Sequence, residues 1–257
     1  MRTPILAGNW KMHKTVQEAL TLVHAVKETV EAVTQVDKAV CPPFVALAPL
    51  ADLLRGSPLM LGAQNMYWEE QGAFTGEISP LMLKGLCDLV IIGHSERRQY
   101  FGETDETVNK KIKAAFAHGL MPIVCVGENL AQNEAGETEA FVSGQVRAAM
   151  DGISAAQVVQ LVVAYEPIWA IGTGRTAEPE DANRIIGEVV RATLADLYGD
   201  DVAQQVRIQY GGSIKPSNIH ALMEQPDIDG GLVGGASLTA EDFIALVKGT
   251  AEAKGLA

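Results

Sequence analysis

Short runs of apolar, mostly β-branched residues alternate along the chain with longer stretches in which apolar residues recur at helical spacing. The short runs predict eight strands, at residues 4–8, 38–41, 59–63, 89–92, 121–126, 159–164, 206–209 and 231–233. The longer patterns predict helices at residues 16–33, 106–118, 138–150, 179–198 and 240–253. Two of these helices begin with a recognisable first turn, because residues 178–181 combine a proline with acidic residues and Thr239 is a suitable N-cap.

A repeated strand–helix unit is typical of an α/β protein with a parallel sheet. Eight units in succession predict a (β/α)8 barrel, a parallel eight-stranded barrel surrounded by helices, and a doubly wound open sheet is the alternative. The chain has 257 residues, and one such barrel usually takes about 250. No Pro-, Gly- or Ser-rich linker divides the sequence, so we expect a single domain over residues 1–257.

Composition indicates which residues fill the core and which classes of partner are disfavoured. Hydrophobic residues make up 47% of the chain but aromatic residues only 5%, so aliphatic side chains must fill the core. Twenty Lys and Arg against 32 Asp and Glu leave a net charge of -12, which disfavours nucleic acid and anionic membrane surfaces as partners. An anionic substrate would therefore need a local region of positive potential.

The sequence indicates a protein of the reduced cytoplasm without a metal site. Cys41, Cys87 and Cys125 form no CxxC pair, and the five histidines lack metal-ligand spacing. Residues 172–177 satisfy a relaxed dinucleotide fingerprint but do not follow a strand directly, and residues 93–97 lack the second glycine of a nucleophile elbow. We find neither a signal peptide nor an apolar stretch long enough to span a membrane.

Polar and charged residues gather where the predicted strands end. Strand one leads into Asn9 and Lys11, strand four into His94 and Glu96, and strand six into Glu166. Because the carboxyl ends of parallel strands meet on one rim of a barrel, we expect these side chains to converge there.

Each of these residues also has a structural interpretation. A lysine such as Lys11 is usually solvated, a lone histidine is more often a satisfied core residue, and a buried Glu166 has to be paired, protonated or functional. The context of His94 favours function, because Ser95 can cap a short helix whose positive N-terminus would keep the ring neutral.

Paired glycines end the last two strands, at residues 211–212 and 234–235. Glycine permits close backbone approach and positive φ, so successive N–H groups can surround an anion. Tight turns are the simpler interpretation. Two diglycines at the same rim nevertheless favour a phosphate site formed by the last two loops and a short extra helix.

Five segments of the chain together resemble the triosephosphate isomerase family: GNWKM (8–12), IIGHSERR (91–98), AYEPIWAIGTG (164–174), QYGGS (209–213) and LVGGASL (232–238). The resemblance implies a TIM barrel and a cytoplasmic enzyme of glycolysis and gluconeogenesis. The implied reaction interconverts dihydroxyacetone phosphate and D-glyceraldehyde 3-phosphate through an enediolate, without a cofactor. Another phosphate-binding barrel isomerase acting on a different sugar phosphate, and a catalytically silent phosphate-binding protein, are the alternatives.

The resemblance also implies residue roles. Glu166 is the base that moves a proton between two substrate carbons, and His94 is the electrophile at the substrate oxygens. Lys11 and Asn9 complete the polar site. Glu96 is a partner of Lys11, and the resemblance also implies a proton-transfer role for Glu96. The residues implied in binding the substrate and its phosphate group are Asn9, Lys11, Gly172, Ser213, Gly234 and Gly235.

The loop after strand three, residues 64–79, is long for a connection between a strand and a helix. Its segment GAFTGE (72–77) places Phe74 among small residues and resembles the loop by which members of the family reach a neighbouring subunit. We therefore expect a homodimer with Phe74 and Thr75 at the contact. A loop folded back onto its own barrel is the alternative.

Overall fold

The computed structural model describes residues 2–171 and 177–256, and its centre is a closed barrel of parallel strands. The strands are β1 (Ile5–Asn9), β2 (Asp37–Cys41), β3 (Leu59–Ala63), β4 (Leu89–Ile92), β5 (Met121–Val126), β6 (Val162–Tyr165), β7 (Arg207–Tyr210) and β8 (Gly230–Val233). Consecutive strands are neighbours around the barrel, and β1 pairs with both β2 and β8. This closure confirms the predicted barrel and shows that the open-sheet alternative is wrong.

Helices surround the barrel. In the described residues the α-helices are α1 (Val16–Glu31), α2 (Leu47–Leu53), α3 (Pro80–Leu83), α4 (Ser95–Phe101), α5 (Asp105–Ala117), α6 (Leu130–Glu134), α7 (Thr138–Met150), α8 (Ala155–Val158), α9 (Pro179–Arg184), α10 (Ala192–Tyr198), α11 (Asp200–Ala203), α12 (Ile219–Met223) and α13 (Ala240–Ala253). A π-helical stretch, Ile185–Arg191, joins α9 to α10, so the predicted helix over 179–198 is present with a change of winding in its middle. Short 3-10 turns lie at Phe44–Ala46, Ile168–Ala170 and Gly235–Ser237.

Local sequence accounts for several helix starts. Thr15 and Thr104 form capping boxes before α1 and α5. Thr239 accepts a hydrogen bond from the N–H of Asp242 before α13, and Pro179 is the first residue of α9. The N-terminal signals predicted for the last two helices are therefore confirmed.

The predicted start of strand six is wrong by three residues. The sequence predicts a strand over residues 159–164, whereas β6 covers Val162–Tyr165. Ser154 and Gln157 form a capping box that begins α8, and the backbone is still turning when Leu161 N–H donates to Val158 O. This single helical turn lies next to apolar residues that continue directly into the strand, so the hydrophobic pattern does not reveal the boundary. The other strand ends differ from prediction by at most one residue.

Apolar side chains form two layers, one inside the barrel and one between the strands and the helices. Ile5 and Ile91 belong to the inner layer, and Leu50 and Phe243 belong to the larger outer layer. Aliphatic residues make up most of both layers, as the low aromatic content predicts. Among the helices of the described residues, none is long and apolar enough to cross a membrane.

Candidate active site

Glu166 directly follows β6, and its carboxylate is buried, with 3% of the side chain exposed. Its Oε1 lies 3.0 Å from Nε2 of His94, and its Oε2 accepts a hydrogen bond from the N–H of Ser95 at 3.0 Å. The backbone N–H of Glu166 donates to Val126 O at 2.8 Å, which continues the pairing of β6 with β5. Both carboxylate oxygens and the backbone are therefore held in one orientation.

His94 lies between β4 and α4. Its Nδ1 accepts a hydrogen bond from the N–H of Glu96 at 3.2 Å, so the ring proton is assigned to Nε2, which faces Glu166. The predicted cap is wrong, because His94 itself is the N-cap of α4 and Ser95 is the first residue of the helix. Since the imidazole occupies the capping position, the N–H of Ser95 is available to bind the Glu166 carboxylate.

The close contact between Glu166 and His94 shifts the pKa of both groups. Burial raises the pKa of Glu166, but the facing His94 ring and the Ser95 N–H outweigh burial, and the net pKa lies below the ordinary value. Burial lowers the pKa of His94, but the Glu166 carboxylate outweighs it and the net pKa is raised. The carboxylate of Glu166 is therefore ionised at neutral pH, as a base must be.

Lys11 has a positive φ of 51°, which is uncommon for a residue with a side chain. Two hydrogen bonds hold this backbone: the N–H of Lys11 donates to Asn9 Oδ1 at 3.0 Å, and its carbonyl oxygen accepts from Gln64 Nε2 at 2.8 Å. The Nζ of Lys11 lies 2.6 Å from Glu96 Oε1. The predicted contact between Lys11 and Glu96 is therefore present.

A cavity of about 670 Å³ opens at this rim of the barrel. Its lining includes the polar side chains and both diglycines: Asn9, Lys11, His94, Glu166, Gly211, Gly212, Ser213, Gly234 and Gly235. The fold thus brings together around one cavity residues that lie far apart in the chain. The sequence predicts each of them from the end of a strand.

Close packing and backbone geometry explain why these loops contain glycine. A Cβ on Gly211 would lie 2.8 Å from Glu166 Cγ, and a Cβ on Gly212 would lie 2.1 Å from Tyr210 Oη. Gly234 has φ −84° and ψ −111°, a combination outside the regions that other residues favour. Of the two properties that glycine permits, these residues use the close approach, since neither described diglycine has a residue with φ above zero.

Three predicted site residues of the described part of the chain do not line this cavity: Glu96, Phe74 and Thr75. Gly172 lies outside the described residues. Phe74 and Thr75 are both exposed on the loop of residues 64–79. Phe74 is 40% exposed, and the centroid of its ring lies 4.5 Å from that of Tyr67. The loop therefore packs partly on itself and leaves these two residues at the surface.

Three contacts of the site are not predicted by the sequence analysis. They involve the N–H of Ser95, the amide of Gln64, and Glu128, which is fully buried and accepts hydrogen bonds from Trp169 Nε1 at 2.7 Å and Tyr165 Oη at 3.2 Å. Gln64 and Glu128 follow the predicted strands three and five, so their positions could be identified from the sequence but their partners could not. Ser95 contributes a backbone group, for which the residue type carries no signal.

The chemistry available in the cavity follows from these groups. An ionised carboxylate lies beside an imidazole N–H and near an ammonium group, so the site can transfer protons next to an oxygen that gains negative charge. Within residues 2–171 and 177–256, no three His, Cys, Asp or Glu side chains are arranged to hold a metal ion.

Comparisons with known proteins agree with this geometry. Residues 4–250 match the family model described as triosephosphate isomerase. A triosephosphate isomerase of Chloroflexus aurantiacus is 59% identical over 248 residues, which cover 96% of this chain and 99% of that protein. Triosephosphate isomerases of Caldanaerobacter subterraneus and Carboxydothermus hydrogenoformans are 56% and 55% identical, covering 96% and 97% of this chain and 99% and 100% of theirs. The chain belongs to the triosephosphate isomerase family.

Proposed function

We propose that this chain interconverts dihydroxyacetone phosphate and D-glyceraldehyde 3-phosphate, with Glu166 as the base. The observation that carries the proposal is a buried carboxylate 3.0 Å from an imidazole Nε2, in the wall of a cavity that also contains a lysine and two diglycines. Membership of the family supplies the substrates, and the cavity supplies groups of the kind that this reaction requires.

The reaction moves a proton between two adjacent substrate carbons. Glu166 removes the proton from one carbon and returns it to the other, because a single carboxylate can reach both when the substrate is held beside it. Negative charge then develops on the two oxygens of an enediolate. The Nε2–H of His94 and the ammonium group of Lys11 are the donors that stabilise these oxygens, and Asn9 completes the polar wall.

A neutral His94 can fill this role because its ring proton is on Nε2, the nitrogen that faces Glu166. The Glu166 carboxylate raises the pKa of His94 most strongly, and Glu96 raises it further. When Nε2–H turns to a substrate oxygen and the carboxylate turns to a carbon, that stabilisation of the imidazolium weakens. Burial and the N-terminus of α4 then favour the neutral ring.

The phosphate group binds at the loops after β7 and β8. Ser213 and the glycines at 234–235 line this side of the cavity, and small residues let backbone N–H groups approach an anion closely. Gly172 joins them by resemblance to the family. The net charge of the chain is -12, so an anionic substrate needs a local positive charge, and Lys11 supplies it.

The active form is a cytoplasmic homodimer in this proposal, and each site is built mostly from one chain. Phe74 and Thr75 lie exposed on the loop of residues 64–79, and other large apolar side chains are also exposed, including Met12 at 94% and Phe101 at 67%. By resemblance to the family, Thr75 steadies the partner's site. Sedimentation equilibrium should detect a dimer that Phe74→Asp dissociates, and a fully active monomer would contradict this part of the proposal.

A coupled assay tests the catalytic proposal directly. The purified chain is supplied with D-glyceraldehyde 3-phosphate, and the dihydroxyacetone phosphate formed is reduced by glycerol-phosphate dehydrogenase while NADH absorbance is recorded. The expected result is turnover without added cofactor or metal. Binding of triose phosphate without turnover would instead support the silent phosphate-binding alternative, and turnover of only a different sugar phosphate would support the other isomerase.

A further inference from the structure

Gln145 is a buried polar side chain on the inner face of α7, outside the cavity. It is 4% exposed and shares this helix with the buried residues Val142, Val146 and Ala149. Its Oε1 accepts a hydrogen bond from the N–H of Gly127 at 2.7 Å, and both groups are buried. Because a buried amide group destabilises a fold unless it is hydrogen-bonded, this contact accounts for a polar residue at an otherwise apolar position.

Gly127 in turn contacts the backbone of Glu166. A Cβ on Gly127 would lie 1.8 Å from the carbonyl oxygen of Glu166, so the two main chains pass closer than any side chain would allow. On either side of Gly127, Val126 O accepts from Glu166 N–H at 2.8 Å and Glu128 O accepts from Ile168 N–H at 3.1 Å. These three consecutive residues, called the support segment below, hold the backbone on both sides of the base.

The support segment is tied to the helical layer through Gln145. Without the Gln145 oxygen, the buried N–H of Gly127 would need another acceptor, and the backbone would shift to find one. A shift of Gly127 moves the Glu166 backbone that rests against it. Because a misplacement of 1 Å in a catalytic group costs roughly 10²-fold in rate, a fraction of that movement is enough to be measured.

We infer that Gln145 is a positioning residue for the base Glu166, acting through the N–H of Gly127. The inference rests on the proposed function, in which Glu166 removes the proton. Gln145 is not among the residues that line the cavity, and its hydrogen bond is made to the backbone of Gly127. Its effect should therefore appear in the rate of the chemical step, while substrate binding at the loops after β7 and β8 stays the same.

Two substitutions separate the acceptor oxygen from the volume of the side chain. Gln145→Met keeps the length of the side chain and removes the acceptor, whereas Gln145→Glu keeps an oxygen in the same place. We expect the Met variant to lose about 10-fold in kcat with KM unchanged, since its displacement is a fraction of 1 Å. The Glu variant should recover most of the parent kcat. Should the Met variant fail to fold, Gln145→Asn replaces it, because its shorter amide cannot reach Gly127.

Asn109 provides a matched control on the neighbouring helix α5. Its Nδ2 donates to Ala149 O at 2.9 Å and to Asp151 O at 2.8 Å, so Asn109→Leu also removes buried hydrogen bonds to the α7 region. This variant should lower the free energy of unfolding as much as Gln145→Met does, but keep the parent kcat per folded molecule.

The outcomes distinguish the inference from the proposed function. Three results would overturn the positioning role, even if the parent enzyme and Glu166→Gln behave as proposed. They are a folded Met variant with the parent kcat, a Glu variant as slow as the Met variant, and an Asn109→Leu variant that loses as much kcat as the Met variant. An inactive parent enzyme would overturn the proposed function itself. A slow Met variant that Glu restores, beside a fast Asn109→Leu variant, would establish the positioning role.

Discussion

Glu166 and Glu103 both have buried side chains, 3% and 5% exposed, and both have a lowered pKa even though burial raises it, but their partners differ. Glu103 is bound by Nζ of Lys111 and, at 2.5 Å, by Nε of Arg97. Glu166 is held by an imidazole and a backbone N–H. Two basic side chains therefore bind one carboxylate, whereas the other faces a single titratable ring, whose pKa it raises.

The difference in partners separates a structural carboxylate from a base. Two positively charged side chains neutralise the Glu103 carboxylate. Replacing the carboxylate by an uncharged group would leave these charges without a counter-charge at a buried position. Glu166 has no such pair of fixed charges: an imidazole and a backbone N–H orient its carboxylate, and the cavity gives a small molecule access to it. Burial with a lowered pKa thus does not identify a base by itself, whereas the kind of partner and access to a cavity do.

Glu166→Gln tests the catalytic half of this comparison and has the largest expected effect. The amide keeps the shape of the side chain but cannot accept a proton, and loss of a general base typically costs about 10²- to 10⁴-fold in rate. The coupled assay measures kcat, and circular dichroism checks the fold. A variant with near-parental turnover would show that another group is the base.

Glu103→Gln tests the structural half. Leaving Lys111 and Arg97 without their shared carboxylate should lower the free energy of unfolding by about 3–5 kcal/mol, because a buried charge loses its counter-charge. The folded fraction should keep most of the parent kcat, since Glu103 does not line the cavity. Urea unfolding and the coupled assay measure the two quantities. A stable variant with little activity would reverse the roles assigned to the two glutamates.

Gly211→Ala sharpens the comparison by disturbing Glu166 without changing its chemistry. The added Cβ would lie 2.8 Å from Glu166 Cγ, and we expect kcat to fall by about 10- to 10²-fold through displacement of the base. Gly144→Ala in α7 is the matched control, because a Cβ there meets nothing within 4 Å. It should raise the free energy of unfolding by about 0.5–1 kcal/mol and leave kcat unchanged. Equal rates for both variants would argue against a strict requirement on the position of Glu166.

The pH dependence of the free energy of unfolding has the smallest expected effect and tests Glu103 specifically. Since the pKa of Glu103 is lower in the folded chain than its ordinary value of 4.5, its ionisation stabilises the fold above pH 4.5. This stabilisation is lost as the pH falls below 4.5 and through the folded pKa. Comparing urea unfolding of the parent and Glu103→Gln at pH 7 and pH 4 should show a smaller loss on acidification for the variant. Parallel losses would mean that other groups carry the effect.

Much of the site can be predicted because a barrel places all strand ends on one rim. Asn9, Lys11, His94 and Glu166 could each be identified from their positions after apolar runs, without knowledge of any distance. The roles of Ser95 and Gly127 could not, because both act through backbone N–H groups that every residue except proline carries. The sequence predicts the cap of α4 one residue too late, because the ring of His94 takes the place usually held by a hydroxyl or carboxylate.

The sequence by itself determined the alternation of strands and helices, the order of the polar strand ends, and the absence of linkers between the units, because these depend on local hydrophobic pattern. Only the tertiary structure decided which groups touch: that His94 faces Glu166, that Glu103 lies between Lys111 and Arg97, and that Gln145 reaches Gly127. Such contacts join residues that lie far apart in the chain, as with His94 and Glu166. They depend on how the closed barrel and its helical layer orient each side chain, which no local pattern specifies.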